Sequence, residues 1–212
     1  YFAADEVDED GRKVIEYMVE TYDRSGYEIR SLLRTLFNSN YFKSEKARFA
    51  RVKGPVELVV GAVRQAGDFR SPSLRIEQVA SICFFMGQGI MRPPSVEGWH
   101  EGAEWIESGA LIERVNFVAE ELSNVALPGV KRIVELVAAS NGSTMTANEL
   151  VDRCLDVIGP IEVEEDTREV LTSHVDRLGN IDLVGREAGG DADKRVADLL
   201  GLIGSTREFQ MA

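Results

Sequence analysis

The chain has 212 residues, of which 44% are hydrophobic and 28% charged, with a formal net charge of −12. Such a chain buries roughly 70% of its unfolded surface on folding, and its composition is ordinary for a globular protein. The acidic balance argues against nonspecific binding to nucleic acid, whose phosphates it repels, and no apolar run approaches the ~20 residues that span a bilayer.

The first ten residues carry Asp5, Glu6, Asp8, Glu9 and Asp10, which suits the approach to a helix N-terminus. Val14, Ile15, Met18, Val19 and Tyr22 recur at helical spacing and predict a helix from Gly11 to about Arg24. Ser25-Gly26 breaks it. Ile29, Leu32, Leu33, Leu36 and Phe37 then predict a second helix, antiparallel to the first, with Tyr41-Phe42 locking the hairpin. Gly54-Pro55 opens the next helix, with proline at the first position, where its missing N–H costs nothing. Val56, Val59, Val60 and Val63 are its expected buried stripe. A strand is the rival for VELVVGAV, because β-branched residues lower helix propensity and packing must then hold the helix. Ser71-Pro72 starts a helix through Ile76, Val79, Ile82, Cys83 and Met86, ended by Gly87.

Residues 87–105, GQGIMRPPSVEGWHEGAEW, contain both tryptophans, the only Pro-Pro pair and four glycines. Loops this long in a helical domain are uncommon and often functional. Leu111, Ile112, Val115, Val118, Ala119 and Leu122 mark the following helix. Pro128 introduces another with Val130, Ile133, Val134 and Val137, stopped by Asn141-Gly142. Thr146 and Glu149 form a capping box for a helix through Leu150, Val151, Leu155 and Ile158, ended by Gly159-Pro160. Residues 163–178 read as helix, 179–193 as a mobile connection, and Lys194 to Ile203 as the last helix. The expected fold is all-α: an irregular domain of about eight to ten short helices with one long ordered Trp/Pro/Gly loop. It spans 1–212 as one domain and admits a subdivision into 1–125 and 126–212. One internal echo aligns RSLLRTLFNSNYF (30–42) with ADLLGLIGSTREF (197–209), each a helix, a polar stop and a terminal aromatic. Cys83 reads as a small buried hydrophobe, and a bridge to Cys154 is neither required nor excluded.

The order VKGPVELVVGAVR, MGQGIMRPPSVEGWHEGAEWI, ERVNF and STREFQ resembles the C-terminal half of the bacterial domain-of-unknown-function family 1800. The matching residues are Lys53, Pro55 and Glu57; Gly87, Gln88, Pro93, Pro94, Val96, Gly98 and Trp99; Gly102 and Trp105; Arg114, Asn116 and Phe117. Gly54 and His100 depart from the family's usual Ser and Pro. The resemblance implies a mostly helical fold and a chain that is the C-terminal part of a longer protein, with Tyr1 and Phe2 at a cut edge marked by an apolar patch. It further implies export, to the periplasm or beyond, and a secreted sulfatase-like partner protein. It supplies no catalytic residue and no cofactor.

The candidate binding residues are Trp99, Trp105, Glu57, Arg64, Arg114 and Asn116. The tryptophans offer a platform for a sugar ring or other flat ligand. The favoured alternative is that they pin the loop to the helices beginning at Pro55 and near Glu107, at least one of them largely buried and their indole N–H groups bonded to carbonyls. Glu57, Arg64, Arg114 and Asn116, with Lys53, form either a catalytic cluster or, as we favour, an ion-pair and hydrogen-bond network holding the loop. His100 with Glu104 shares one helical face, as a metal site requires, but Gly98 and Gly102 interrupt any helix there and no metal is expected. The basic stretch at 46–75 (Arg48, Arg51, Lys53, Arg64, Arg70 and Arg75) reads as a solvated face balancing acidic neighbours. No nucleophile stands in a recognisable context. The expectation is therefore a non-catalytic binding or assembly module of an exported protein, with a sulfatase-like protein or a polysaccharide as partner. The alternative is part of an enzyme acting on polysaccharide.

Overall fold

The computed structural model describes residues 3–67, 69, 73–139, 144–159, 161–179, 181–183 and 187–212. Among them are ten α-helices: α1 (Glu9–Arg24), α2 (Ile29–Asn38), α3 (Pro55–Ala66), α4 (Arg75–Phe85), α5 (Ser108–Ser123), α6 (Pro128–Ala138), α7 (Ala147–Ile158), α8 (Glu165–Leu178), α9 (Asp191–Gly204) and α10 (Arg207–Gln210). The strands β1 (Thr144–Met145) and β2 (Ile181–Asp182) pair antiparallel over two residues each, so the fold is all-α as expected. No described helix is long and apolar enough to cross a membrane. The proposed breaks at Ser71-Pro72, Asn141-Gly142 and Pro160, the residues Tyr1, Phe2 and Arg70, and part of the 179–193 connection lie outside the described residues.

Local chemistry sets the helix ends. Asp8 Oδ1 accepts the Gly11 N–H at 2.8 Å and starts α1. At α7, Thr146 Oγ1 accepts from the Glu149 N–H at 3.4 Å while Glu149 Oε2 accepts from the Thr146 N–H at 2.9 Å, the reciprocal pair that the capping box anticipates. Gly67 closes α3 in the left-handed region at φ 69°.

The core is organised by the crossing of α5 and α9. A Cβ on Gly204 would lie 2.4 Å from Val118 Cγ1, and one on Gly201 would lie 3.1 Å from the Ala119 carbonyl oxygen. The two glycines thus let the helices approach closely, and Leu199, Leu200 and Ile203 bury fully around Val118 and Leu122. α3 packs against α5 and α6, and α7 packs against α6, α8 and α9. The apolar core runs from Leu58 to Phe209. Cys83 and Cys154 are free and buried within it, and burial pushes the Cys154 thiol up to about 12. Both are packing residues.

Two of the expected stripes, on α3 and α5, are rotated. On α3 the buried residues include Leu58, Val59, Ala62, Val63 and Ala66, and Val60 is exposed. On α4 the expected stripe holds, with Cys83 and Met86 buried and Val79 and Ile82 packed against the core, and only Ile76 is exposed. On α5, Leu111 and Ile112 face out, and Arg114, Phe117, Val118, Glu121 and Leu122 face in. The cause is common to α3 and α5. Each helix has more apolar residues than one face can bury, and the face chosen is the one offering small residues or polar partners to its neighbours. Glu121 goes inward because Arg75 donates to its carboxylate.

The α1–α2 hairpin contributes nothing to this core among the described residues. The expected aromatic lock is present: Phe37 and Phe42 meet edge-to-face at 5.0 Å, and the Tyr41 ring lies against Gly11. Asp5 Oδ2 accepts the Val52 N–H at 2.7 Å and ties the segment before α1 to the domain. Ile15, Tyr17, Val19 and Ile29 are exposed. The internal echo has a physical basis, since the Ser39 hydroxyl accepts from the Phe42 N–H at 3.1 Å and the Thr206 hydroxyl from the Phe209 N–H at 3.3 Å. Both are hydroxyl-capped turns after a helix. Phe209 is core, whereas Phe42 is only half-buried.

Candidate functional site

The chain's last residues return to the start of α3. Val52 bridges Met211, the Lys53 N–H donates to the Gln210 carbonyl at 2.9 Å, and the Ala212 N–H donates to the Arg51 carbonyl at 2.7 Å. Arg114 reaches this junction from α5 and is fully buried. Its Nε donates to Gln210 Oε1 at 3.0 Å and its Nη2 to the Lys53 carbonyl at 2.8 Å, while Gln210 Nε2 donates onward to the Gly204 carbonyl at 3.1 Å. One guanidinium therefore joins α5, the start of α3, the end of α9 and α10. Burial lowers its pKa to about 10, with the Glu57 charge opposing the shift, so the cation persists at neutral pH.

Glu57 accepts from Arg51 Nη2 through both carboxylate oxygens, each at 2.8 Å, and its Oε2 also accepts the Gly54 N–H at 3.3 Å. Lys53 Nζ donates to the Phe209 carbonyl at 2.7 Å and lies 4.7 Å from the Phe209 ring centroid. Burial pushes the Lys53 ammonium below the ordinary lysine range, opposed by Glu57. Gln88 Oε1 accepts the Val56 N–H at 2.8 Å and straps the beginning of the loop to α3. Gly54 is where the loop's far end returns, since a Cβ there would sit 3.0 Å from the Trp105 ring.

Of the six residues singled out in the sequence, three converge here: Glu57, Arg114 and Trp105. Arg64 lies further along α3 and lines an apolar groove, and Asn116 is exposed on α5. Trp99 is 36% exposed, its indole N–H donating to the Gly89 carbonyl at 3.0 Å within the loop. Neither tryptophan is buried in the core. Trp105 is half-buried, and its indole nitrogen finds no acceptor among the described residues, against the expected carbonyl bond. The loop is anchored at its two ends and turns outward between them. Met91 sits at φ 59°, and the Gly98 N–H donates to the Ser95 carbonyl at 3.2 Å. His100 contacts Glu104 in an exposed pair, and no three potential metal ligands come together among the described residues.

Outside this junction lies a face the sequence did not single out. Leu74, Ile76, Phe84 and Phe85 on and beside α4 are exposed, as are Ile90, Met91 and Val96 in the loop. Phe84 and Phe85 meet edge-to-face at 6.0 Å, and Gly89 packs against the Phe84 ring. Between α3 and α4 an apolar groove of about 210 Å³ is lined by Val56, Val60, Val63, Phe69, Ile76 and Ile90. The basic stretch is largely neutralised: Lys46 meets Asp8 and Asp10, Arg48 meets Glu162, Arg51 meets Glu57 and Arg75 meets Glu121.

A helical domain closed by one buried arginine, with a Trp/Pro/Gly loop strapped to the same helix start, is the class this geometry defines. The family described as "Protein of unknown function (DUF1800)" matches residues 1–211, and the chain belongs to it. No curated protein and no solved structure matches the chain.

Proposed function

We propose that this domain is a non-catalytic binding or assembly module of an exported bacterial protein, docking a partner on the face formed by α4 and the outward half of the loop. The observation that carries the reading is the run of exposed large apolar side chains there, with Phe85 68%, Met91 86% and Leu74 92% exposed. Exposed apolar side chains gathered on one face beside a groove are the usual mark of an interaction surface. The enzymatic alternative needs Glu57, Arg64 and Arg114 in one concave site; Glu57 and Arg114 do meet near the start of α3, but Arg114 is fully buried there and Arg64 lines the separate apolar groove. A protein such as the sulfatase-like partner suits the face better than a polysaccharide does. The Trp99 N–H, which a sugar hydroxyl stacked on that ring would meet, is already bonded within the loop.

Photo-crosslinking in the native host tests this. A crosslinker at Phe85 or Met91 is expected to give one defined adduct, and one at the exposed polar position Glu169 of α8 is expected to give none. Equal labelling from all three positions, or none from the first two, would sink the reading.

A further inference from the structure

Across α3 from the apolar groove lies a second cavity, of about 250 Å³, lined by Phe49, Lys53, Gly61, Ile158, Ile161 and Phe209, with Glu57 at one end and Gln65 at the other. Three observations make it more than a packing gap. The first is Gly61. It occupies the middle of α3, where glycine costs about 1 kcal/mol relative to alanine, yet its φ is not left-handed and a Cβ there would meet nothing within 4 Å. No turn or close helix crossing explains it; Gly61 is exposed at the rim of the cavity, where its missing side chain leaves the mouth open. The second is Phe49, a bulky residue held at φ 53°, a strained conformation of the kind found at ligand clamps.

The third is charge. The carboxylate whose field reaches Lys53 is that of Glu57, whereas Arg51 and Arg114 both repel it. Glu57 is already engaged by Arg51 through both oxygens. Three cations thus share one carboxylate, in a chain whose net charge is −12. Arg114 is fully buried and cannot meet a ligand. Lys53 lines the cavity, and its ammonium has given one hydrogen bond, to the Phe209 carbonyl, leaving two donors.

We propose that this cavity is a binding site for a small carboxylate carrying an aromatic or branched apolar body, the carboxylate on Lys53 and the body between Phe49 and Phe209 beside Gly61. A cavity of this size accepts one ring and its substituent, and the aromatic and aliphatic walls supply the burial that orients it. The site is independent of the docking face on α4, so neither stands or falls with the other.

The test is ¹⁹F NMR line broadening of 4-fluorobenzoate by the protein, with 4-fluorobenzylamine as the cationic control. The benzoate is expected to broaden saturably and the amine not. Gly61→Leu obstructs the mouth, entering open space with a better helix former, so it should melt no lower than the parent while abolishing binding. Lys53→Met should weaken binding by about tenfold or more, the value of a charge-assisted hydrogen bond. Absence of benzoate binding, equal binding of the amine, or binding that survives in Gly61→Leu overturns the proposal. If Lys53→Met melts lower than the parent, Gly61→Leu alone decides.

Discussion

Arg114→Ala is expected to lower the unfolding free energy by about 3 kcal/mol, the balance of two charge-assisted hydrogen bonds lost, an aliphatic stem removed and a desolvated charge relieved. The bonds dominate because their acceptors cannot leave. The Lys53 carbonyl is fixed by the start of α3, and Gln210 is fixed by its own bond to the Gly204 carbonyl. Without the guanidinium both acceptors are buried unpaired, and the last residues lose their hold on α5. Chemical denaturation with the extrapolated free energy reads this directly, and the C-terminal turn should show faster amide exchange than α7 in the same variant. A change under about 0.5 kcal/mol, the range of ordinary surface substitutions, would contradict it.

Gly129→Ala should be at least as severe. The first turn of α6 meets the last turn of α3 with backbone against backbone. A Cβ on Gly129 would lie 2.1 Å from the Gln65 carbonyl oxygen and 2.4 Å from the Ala66 carbonyl carbon. Flexible side chains can yield at such distances, but helix backbone cannot. The two helices must separate, opening the layer that holds Ala66, Val130 and Val134. The expected loss is about 3 kcal/mol or more, at the upper end of overpacking effects. Gly61→Ala, on α3 itself, is the matched control, with an expected gain of up to about 1 kcal/mol. If both alanines behaved alike, the close approach of α3 and α6 would be wrong.

How much was legible in the sequence can be seen on α3 and α5. The helix beginning at Pro55 was readable because Gly54 and a proline at the first turn mark its start, signals that depend on residues near in sequence. Which face it buries was not readable, because Leu58, Ala62 and Ala66 form a second apolar stripe beside that of Val56, Val59, Val60 and Val63, and the choice rests with α5 and α6. α5 was misread for a sharper reason. Its buried face contains Arg114 and Glu121, seven residues apart, so a search for apolar periodicity counts the two most informative inward positions as solvent positions. Their partners, Gln210 and Arg75, are distant in sequence, 96 and 46 residues away.

The loop was half legible. Gln88 and Trp105 do anchor it to the start of α3, but the Pro-Pro segment between them turns outward and carries its apolar residues into solvent. Trp99 therefore contributes less than a core tryptophan would. The cavity beside Gly61 had a single trace in the sequence, a glycine in the interior of a helix, and nothing local shows that it faces Phe209 rather than a neighbouring helix.

The central claim is a division of labour: Glu57, Gln88 and Arg114 of the family motif are taken up by folding, and the exposed apolar residues of α4 and the loop are not. Thermal melts of Arg114→Lys and Phe85→Asp, run side by side, test it most directly. Lysine keeps the charge but cannot fork between the Lys53 carbonyl and Gln210, so its melting temperature should fall by several degrees, equivalent to about 1–2 kcal/mol. Aspartate at the exposed Phe85 should leave the melt within about 0.5 kcal/mol of the parent. An unchanged melt for Arg114→Lys together with a large fall for Phe85→Asp would contradict the account.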